Sequence, residues 1–142
     1  MPPSLDMSLA LQDALRPVMH RLDRDRTLSL GKLGLLARLS RGGAASASEL
    51  AHALRISPQA VTIAVRELED GGLVARTPDP EDRRRSWIDL TEAGRERYEV
   101  ERRAGAPWLA QAIEERLDDA GRASLAAAIP VLAALAEGAF DA

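Results

Sequence analysis

Gln59, Thr62, Ile63 and Arg66 recur at helical spacing, on the face left outward once Val61, Ala64, Val65 and Leu68 turn toward a core. Their chemistry suits the edge of a base pair. Gln can bond adenine bidentately, Arg can reach guanine or a phosphate, and Thr62 and Ile63 can pack on a thymine methyl. A second cluster, Asp82-Arg83-Arg84-Arg85, supplies guanidinium groups of the kind that enter a narrow, electronegative minor groove. Asp82, two residues before Arg84, could hold that guanidinium in a fixed fork. Taken alone, each set reads equally as solvated surface, the first as a polar helix face and the second as a charge run.

Other chemistries lack their residues. The chain has 142 residues, a net charge of −3 and no cysteine. A disulfide scaffold, a thiolate metal site and a catalytic thiol are therefore excluded. His20 and His52 stand far apart, with no carboxylate–histidine spacing for zinc, so neither a metal nor a cofactor is expected. There is no phosphate-cradling glycine loop, nucleophile elbow or carboxylate–histidine cluster, and an enzyme is not expected. Charge is unevenly spread: residues 1–97 carry a net +1 and residues 98–142 a net −4. That balance fits a site-specific binder with local basic points better than a polyelectrolyte binder. The sequence reads as having no apolar run that approaches the ~20 residues of a membrane span, and the N-terminus lacks a basic start and a cleavage site, so a cytoplasmic chain without membrane contact is expected.

The elements that must position these residues can be read from caps and stripes. Met7, Leu11, Leu15, Val18 and Leu22 form one helical stripe, with Pro17 expected to kink it or break a turn. Leu28, Leu35, Leu36 and Leu39 form another, closed by Gly42-Gly43. Ser46 and Glu49 make a capping box for a short helix that pauses at Arg55-Ile56. Ser57 then caps a further helix with Pro58 at its first position, ended by Gly71-Gly72. Residues 73–77 and 86–90 are short strand candidates around a loop forced by Pro78 and Pro80, and Ile88 and Leu90 share a face. Trp87 has the opposite parity and no evident role. Thr91 caps a long helix that Gly105-Ala-Pro107 should bend. A final helix on Leu125, Ile129, Leu132, Leu135 and Phe140 is interrupted at Pro130. Two short helices joined tightly, followed by a hairpin with a basic tip, make a winged helix-turn-helix.

The stretch ASELAHALRISPQAVTIAVRELEDGGLVARTPDPEDRRRSWIDLTEAG resembles the winged helix-turn-helix of the multiple-antibiotic-resistance regulator (MarR) family. The wing carries the most specific match, from Asp79-Pro-Glu-Asp82-Arg83-Arg84 to Leu90-Thr91-Glu92-Ala93-Gly94, which repeats the family's D-x-R…LT signature at its usual spacing. The Ser57-Pro58-Gln59-Ala60-Val61 opening supports it. Gly105-Ala-Pro107 departs from the commonest family pattern.

The resemblance implies a mainly α fold with a small β-hairpin wing, the winged head standing on a helical dimerisation platform. It implies a homodimeric transcription regulator, a repressor reading a pseudo-palindromic stretch of double-stranded DNA. By position, Gln59, Ala60, Thr62, Ile63 and Arg66 fall in the major groove. Asp82 and Arg84 belong to the wing in the minor groove, with Arg83 and Arg85 beside them. Ser46, Ser48, Ser57 and Pro58 lie along the backbone. Many members of the family sense small aromatic compounds, and Met19, His20, Tyr98 and Trp108 are candidates for lining such an effector site or for ordinary packing. The expected division is 1–27 as N-terminal dimerisation helix, 28–90 as DNA-binding region and 91–142 as C-terminal dimerisation helices. Independently of any family, the leucine stripes with Leu11, Leu15, Leu125, Ile129 and Leu132 exceed what a small head can cover, which points to a second copy. The alternative is a winged helix used for protein partners, with no specific DNA binding.

Overall fold

In the computed structural model, which describes residues 3–137, the chain forms seven helices and one hairpin among the described residues: α1 (Pro3–Asp23), α2 (Leu30–Gly42), α3 (Ala47–Leu54), α4 (Pro58–Asp70), β1 (Val74–Pro78), β2 (Ser86–Leu90), α5 (Glu92–Arg103), α6 (Ala106–Arg116) and α7 (Asp119–Ala136). Phe140 lies outside the described residues. The chain divides into two compact units, residues 28–102 with the C-terminal part of α7, and α1 with residues 103–127. The fold is mainly helical with a small antiparallel hairpin, as expected.

In the first unit the polar ends of each helix dictate where it begins. Ser29, Ser46 and Ser57 are extended residues whose hydroxyls accept the N–H of Lys32, Glu49 and Ala60, so α2, α3 and α4 all start on a serine cap. Between α3 and α4, Arg55 turns left-handed at φ 53°, and the Ile56 N–H reaches back 3.2 Å to the Ala51 carbonyl. That closes α3 and folds Ile56 against the core. Gly72 (φ 74°) ends α4 in the same way, with Leu73 N–H donating to the Leu68 carbonyl at 2.9 Å.

The core these elements share is Leu35, Leu36 and Leu39 of α2, Leu50 of α3, Val61, Val65 and Leu68 of α4, and Val74, Ile88 and Leu90 of the hairpin. Val74 pairs with Leu90 and Arg76 with Ile88 in antiparallel register. The sequence reading missed one strand-like residue. Ala45, just before α3, exchanges both backbone hydrogen bonds with Ile88, at 2.9 and 2.8 Å. The hairpin is thereby joined to the entry of the helix-turn-helix.

Thr91 ties the hairpin to α5. Its hydroxyl donates to the Gly72 carbonyl at 2.6 Å and accepts the Gly94 N–H at 3.0 Å, while its own N–H donates to the Leu73 carbonyl. Helix α5 consequently sits so close that a Cβ on Gly94 would fall 1.9 Å from the Leu73 carbonyl oxygen. Only glycine fits there.

In the second unit α1 packs on α6. The expected bend at Gly105-Ala-Pro107 is a full break: α5 ends, Gly105 turns left-handed at φ 83°, and α6 begins at Ala106. A Cβ at Gly105 would lie 2.8 Å from Leu22 Cδ2, so the break also lets the chain pass close to α1. Asp118 starts α7 by accepting the Gly121 N–H at 2.8 Å. α7 runs on through Pro130 without the expected interruption, and α1 likewise continues through Pro17 with no broken turn. Each proline removes one hydrogen bond, and the carbonyls so freed belong to exposed residues, Asp13 and Ala126, where water can satisfy them. A further correction concerns α7: its 18 residues have a mean hydropathy of 1.3, long and apolar enough by length and composition to cross a membrane, and none is buried within the chain.

Replacing Gly94 by Ala should destabilise the protein by about 2 kcal/mol, because backbone rather than a flexible side chain must yield. Urea unfolding at fixed protein concentration measures this. A loss within about 0.5 kcal/mol would mean that α5 can slide away from Leu73 without penalty.

Candidate nucleic-acid interface

Helix α4 buries Val61, Val65 and Leu68 and turns its other face to solvent. Gln59, Thr62, Ile63 and Arg66 are exposed, as the spacing predicted, and so is Ala60. Ile63 is 60 % exposed, an unusual place for a large apolar side chain flanked by polar ones. Thr62 donates its hydroxyl to the Pro58 carbonyl at 2.9 Å, which leaves its methyl as the outward group. Pro58, Gln59, Thr62 and Ile63 line one shallow hollow. An apolar centre between an amide and a guanidinium is what a base pair carrying a thymine methyl would meet. Glu67, next along the face, is engaged in an ion pair with Lys32 of α2.

The wing tip is a closed turn. Asp79 accepts the Glu81 N–H at 2.9 Å through its side chain, and its own N–H donates to the Arg85 carbonyl at 3.0 Å. The Arg85 N–H donates to the Asp82 carbonyl at 3.0 Å. Asp82 Oδ1 accepts the Arg84 N–H at 3.0 Å and the Arg84 Nε–H at 3.5 Å. The expected guanidinium fork is thus a single long contact, and the firmer hold is on the Arg84 backbone. The Arg84 side chain stays 93 % exposed, and Arg83 is exposed beside it.

The tip borders an open cleft lined by Ser46 and Ser48 at the start of α3, Arg76 on β1, and Asp82, Arg84 and Arg85. Ser46 is buried and spends its hydroxyl on capping α3, whereas Ser48 and Ser57 are exposed. Arg76 went unnoticed in the sequence because strand alternation alone does not tell a functional outward Arg from any other. It lies 3.4 Å from Glu69. Arg85 differs from its neighbours. Its Nη2 donates to Glu49 Oε1 at 3.0 Å, and its guanidinium stacks 4.7 Å from the Trp87 ring centroid. That contact gives Trp87 the role its parity left open.

Of the candidates for an effector site, Met19 and His20 are exposed on α1, while the two aromatic residues have contacts of their own. Tyr98 packs against the head's core, and Trp108 lies under the Arg21 guanidinium at 4.8 Å. Among the described residues no group of His, Asp and Glu has a metal-binding arrangement.

Comparison with known proteins places this geometry. The sequence model of the MarR family matches residues 28–86. A helix-turn-helix transcriptional regulator of Mycobacterium tuberculosis is 34 % identical over 75 % of this chain and 73 % of its own length. The chain belongs to the MarR family. This MarR-family chain is also similar to the helix-turn-helix transcriptional repressor MdtR of Bacillus subtilis, 32 % identical over 66 % of this chain and 63 % of its own. A solved transcriptional regulator of Pseudomonas aeruginosa superposes with a TM-score of 0.83 at 31 % identity, covering 96 % of this chain and 99 % of that one. This MarR-family protein is therefore a transcriptional regulator, which implies DNA binding, and the family is not a class of enzymes. The family's wing signature has a physical account here: Asp82 fixes the backbone of Arg84, Thr91 joins α4's exit to α5, and Gly94 allows the close approach.

Ser57→Ala should cost about 1 kcal/mol by leaving the Ala60 N–H without its cap. Ser48→Ala, exposed and outside the cap, should change stability by less than about 0.5 kcal/mol. Denaturant titration of both variants checks the pair, and equal effects would mean the Ser57 cap contributes nothing.

Proposed function

We propose that the protein is a homodimeric repressor that sets α4 into the major groove and the wing tip into the adjacent minor groove of a pseudo-palindromic operator. Arg84 carries this reading. Its backbone is fixed by Asp82 while its side chain is left almost wholly to solvent, which suits a group presented to a ligand rather than packed. Gln59, Ala60, Thr62, Ile63 and Arg66 then meet base edges, Arg83 joins Arg84 at the wing, and Ser48, Ser57 and Pro58 follow the phosphate backbone; Ser46, expected there too, is buried as the cap of α3 and has no free hydroxyl to offer. Repression is supported by the likeness to MdtR, which is named a repressor.

The dimer is supported by what the chain leaves uncovered. Neither α1 nor α7 buries a residue within the chain, and Leu15, Leu125, Ile129 and Leu135 are exposed, with Leu11 and Leu132 half-buried. An apolar helix of this length exposed to water is unfavourable, and a two-fold-related second copy is the commonest cover. Residues 1–27 and 91–142 would form that platform and residues 28–90 the DNA-reading part. Two heads would then read half-sites about one helical turn (~10 bp) apart. Release by a small aromatic ligand completes the reading, and it requires that the ligand bind two arrangements of the dimer with different affinity.

Fluorescence anisotropy with a duplex from the DNA upstream of its own gene, beside scrambled duplex and across a salt series, tests the DNA reading. Preferential binding with a negative log–log salt slope is expected. Arg84→Ala should weaken it by about 1–3 kcal/mol, and Gln59→Ala or Arg66→Ala should relax preference at particular base pairs by ~1–3 kcal/mol. Equal weak binding to both duplexes would overturn the reading. Leu125→Arg and Ile129→Arg should convert the dimer to monomer in sedimentation velocity and abolish tight binding; an undisturbed dimer would place the interface elsewhere.

A further inference from the structure

Resting on the reading that the wing enters DNA, we infer that Arg85 is a positioning residue: it clamps the tip end of the wing to α3 and so aims Arg84, without itself contacting nucleic acid. Position in the sequence makes Arg85 the third member of a basic triplet with one expected role. The geometry separates it from the other two. Both its backbone groups close the tip, the N–H on the Asp82 carbonyl and the carbonyl on the Asp79 N–H. Its side chain leaves the tip altogether and spans to Glu49, 36 residues earlier, with the indole of Trp87 beneath it. One residue thus links the tip turn, β2 and α3.

The link has a clear mechanical sense. A two-stranded ribbon is the least rigid form of sheet and twists readily. The Ala45–Ile88 bridge anchors this ribbon near its base. Beyond that point, toward the tip, the Arg85–Glu49 pair gives the wing a second hold on α3, the helix that precedes α4. For Arg85 to bind a phosphate it would have to leave both the carboxylate and the ring. Each contact is weak at a half-exposed site, so losing them should leave the fold standing and change the wing's direction instead.

The two roles predict opposite signs for one substitution. If Arg85 is a DNA contact, Glu49→Ala removes a competing carboxylate and tightens binding. If it is a clamp, Glu49→Ala loosens the wing and weakens binding. The expected result in the anisotropy assay with the upstream duplex is about a five-fold loss for Glu49→Ala and for Arg85→Ala, with no further loss in the double variant. The salt slope should stay at the unmutated value in all three, whereas Arg84→Ala should lower it by about one. Tighter binding by Glu49→Ala, or a reduced slope in Arg85→Ala, overturns the clamp. A DNA-free arm separates this inference from the functional reading. In a Trp108→Phe background Trp87 is the one tryptophan left, and acrylamide quenching should rise about two-fold on Arg85→Ala and on Glu49→Ala but not on Arg84→Ala, because only the first two uncover the ring. If the unmutated chain shows no preference for its DNA, the functional reading fails and quenching alone decides: unchanged quenching in both variants refutes the clamp.

Discussion

The pair of hydrogen bonds exchanged by Ala45 and Ile88 is the constraint on which the head depends. Ile88 is almost wholly buried and is paired on its other side with Arg76 of β1. It fixes the wing to the segment that enters α3, and through the short α3–α4 turn to α4. A helix in the major groove and an arginine in the minor groove act on one duplex only if the distance between them is fixed. Two buried backbone hydrogen bonds do that better than side-chain contacts, because unpairing them leaves polar groups in an apolar core.

From this anchor the chain builds outward, from the core to progressively more exposed elements. The α2–α4 core is packed with aliphatic side chains and ended by stereochemically fixed turns at Arg55 and Gly72. Thr91 and Gly94 then bring α5 against Leu73. The wing tip comes last, held by local hydrogen bonds from Asp79 and Asp82 and by the side chain of Arg85. The groups that could meet DNA stand at the ends of this hierarchy. Their surroundings hold their backbones while leaving their side chains to solvent.

Helices α1 and α7 obey a different logic. Within the chain α1 and α7 expose their apolar stripes instead of burying them. The same property makes α7 resemble a membrane span in length and composition. Its charged start, with Arg122 bound to Asp119 and to the Glu114 carbonyl, is the solvated end of a helix capped by Asp118.

What the sequence determined by itself was local. Serine caps at 46 and 57, glycine stops at 42–43 and 71–72, the inward stripe of α4 and the hairpin residues all rest on interactions spanning a few positions, which residue type and spacing encode directly. Even the outward face of α4 follows, because burying one side of a helix exposes the other. What the tertiary structure decided involved residues far apart in the chain or competition between two local rules. Ala45 has no strand signal of its own and becomes one only by meeting Ile88. Pro17 and Pro130 carry a breaking signal that their exposed helices overrode. Arg83, Arg84 and Arg85 are the same residue type in a row; Asp82 singles out Arg84 locally, but the triplet itself does not mark Arg85 off from its neighbours. Only the placement of Glu49 and Trp87 does so, since it turns the third guanidinium back to the body of the protein while the first two stay in water.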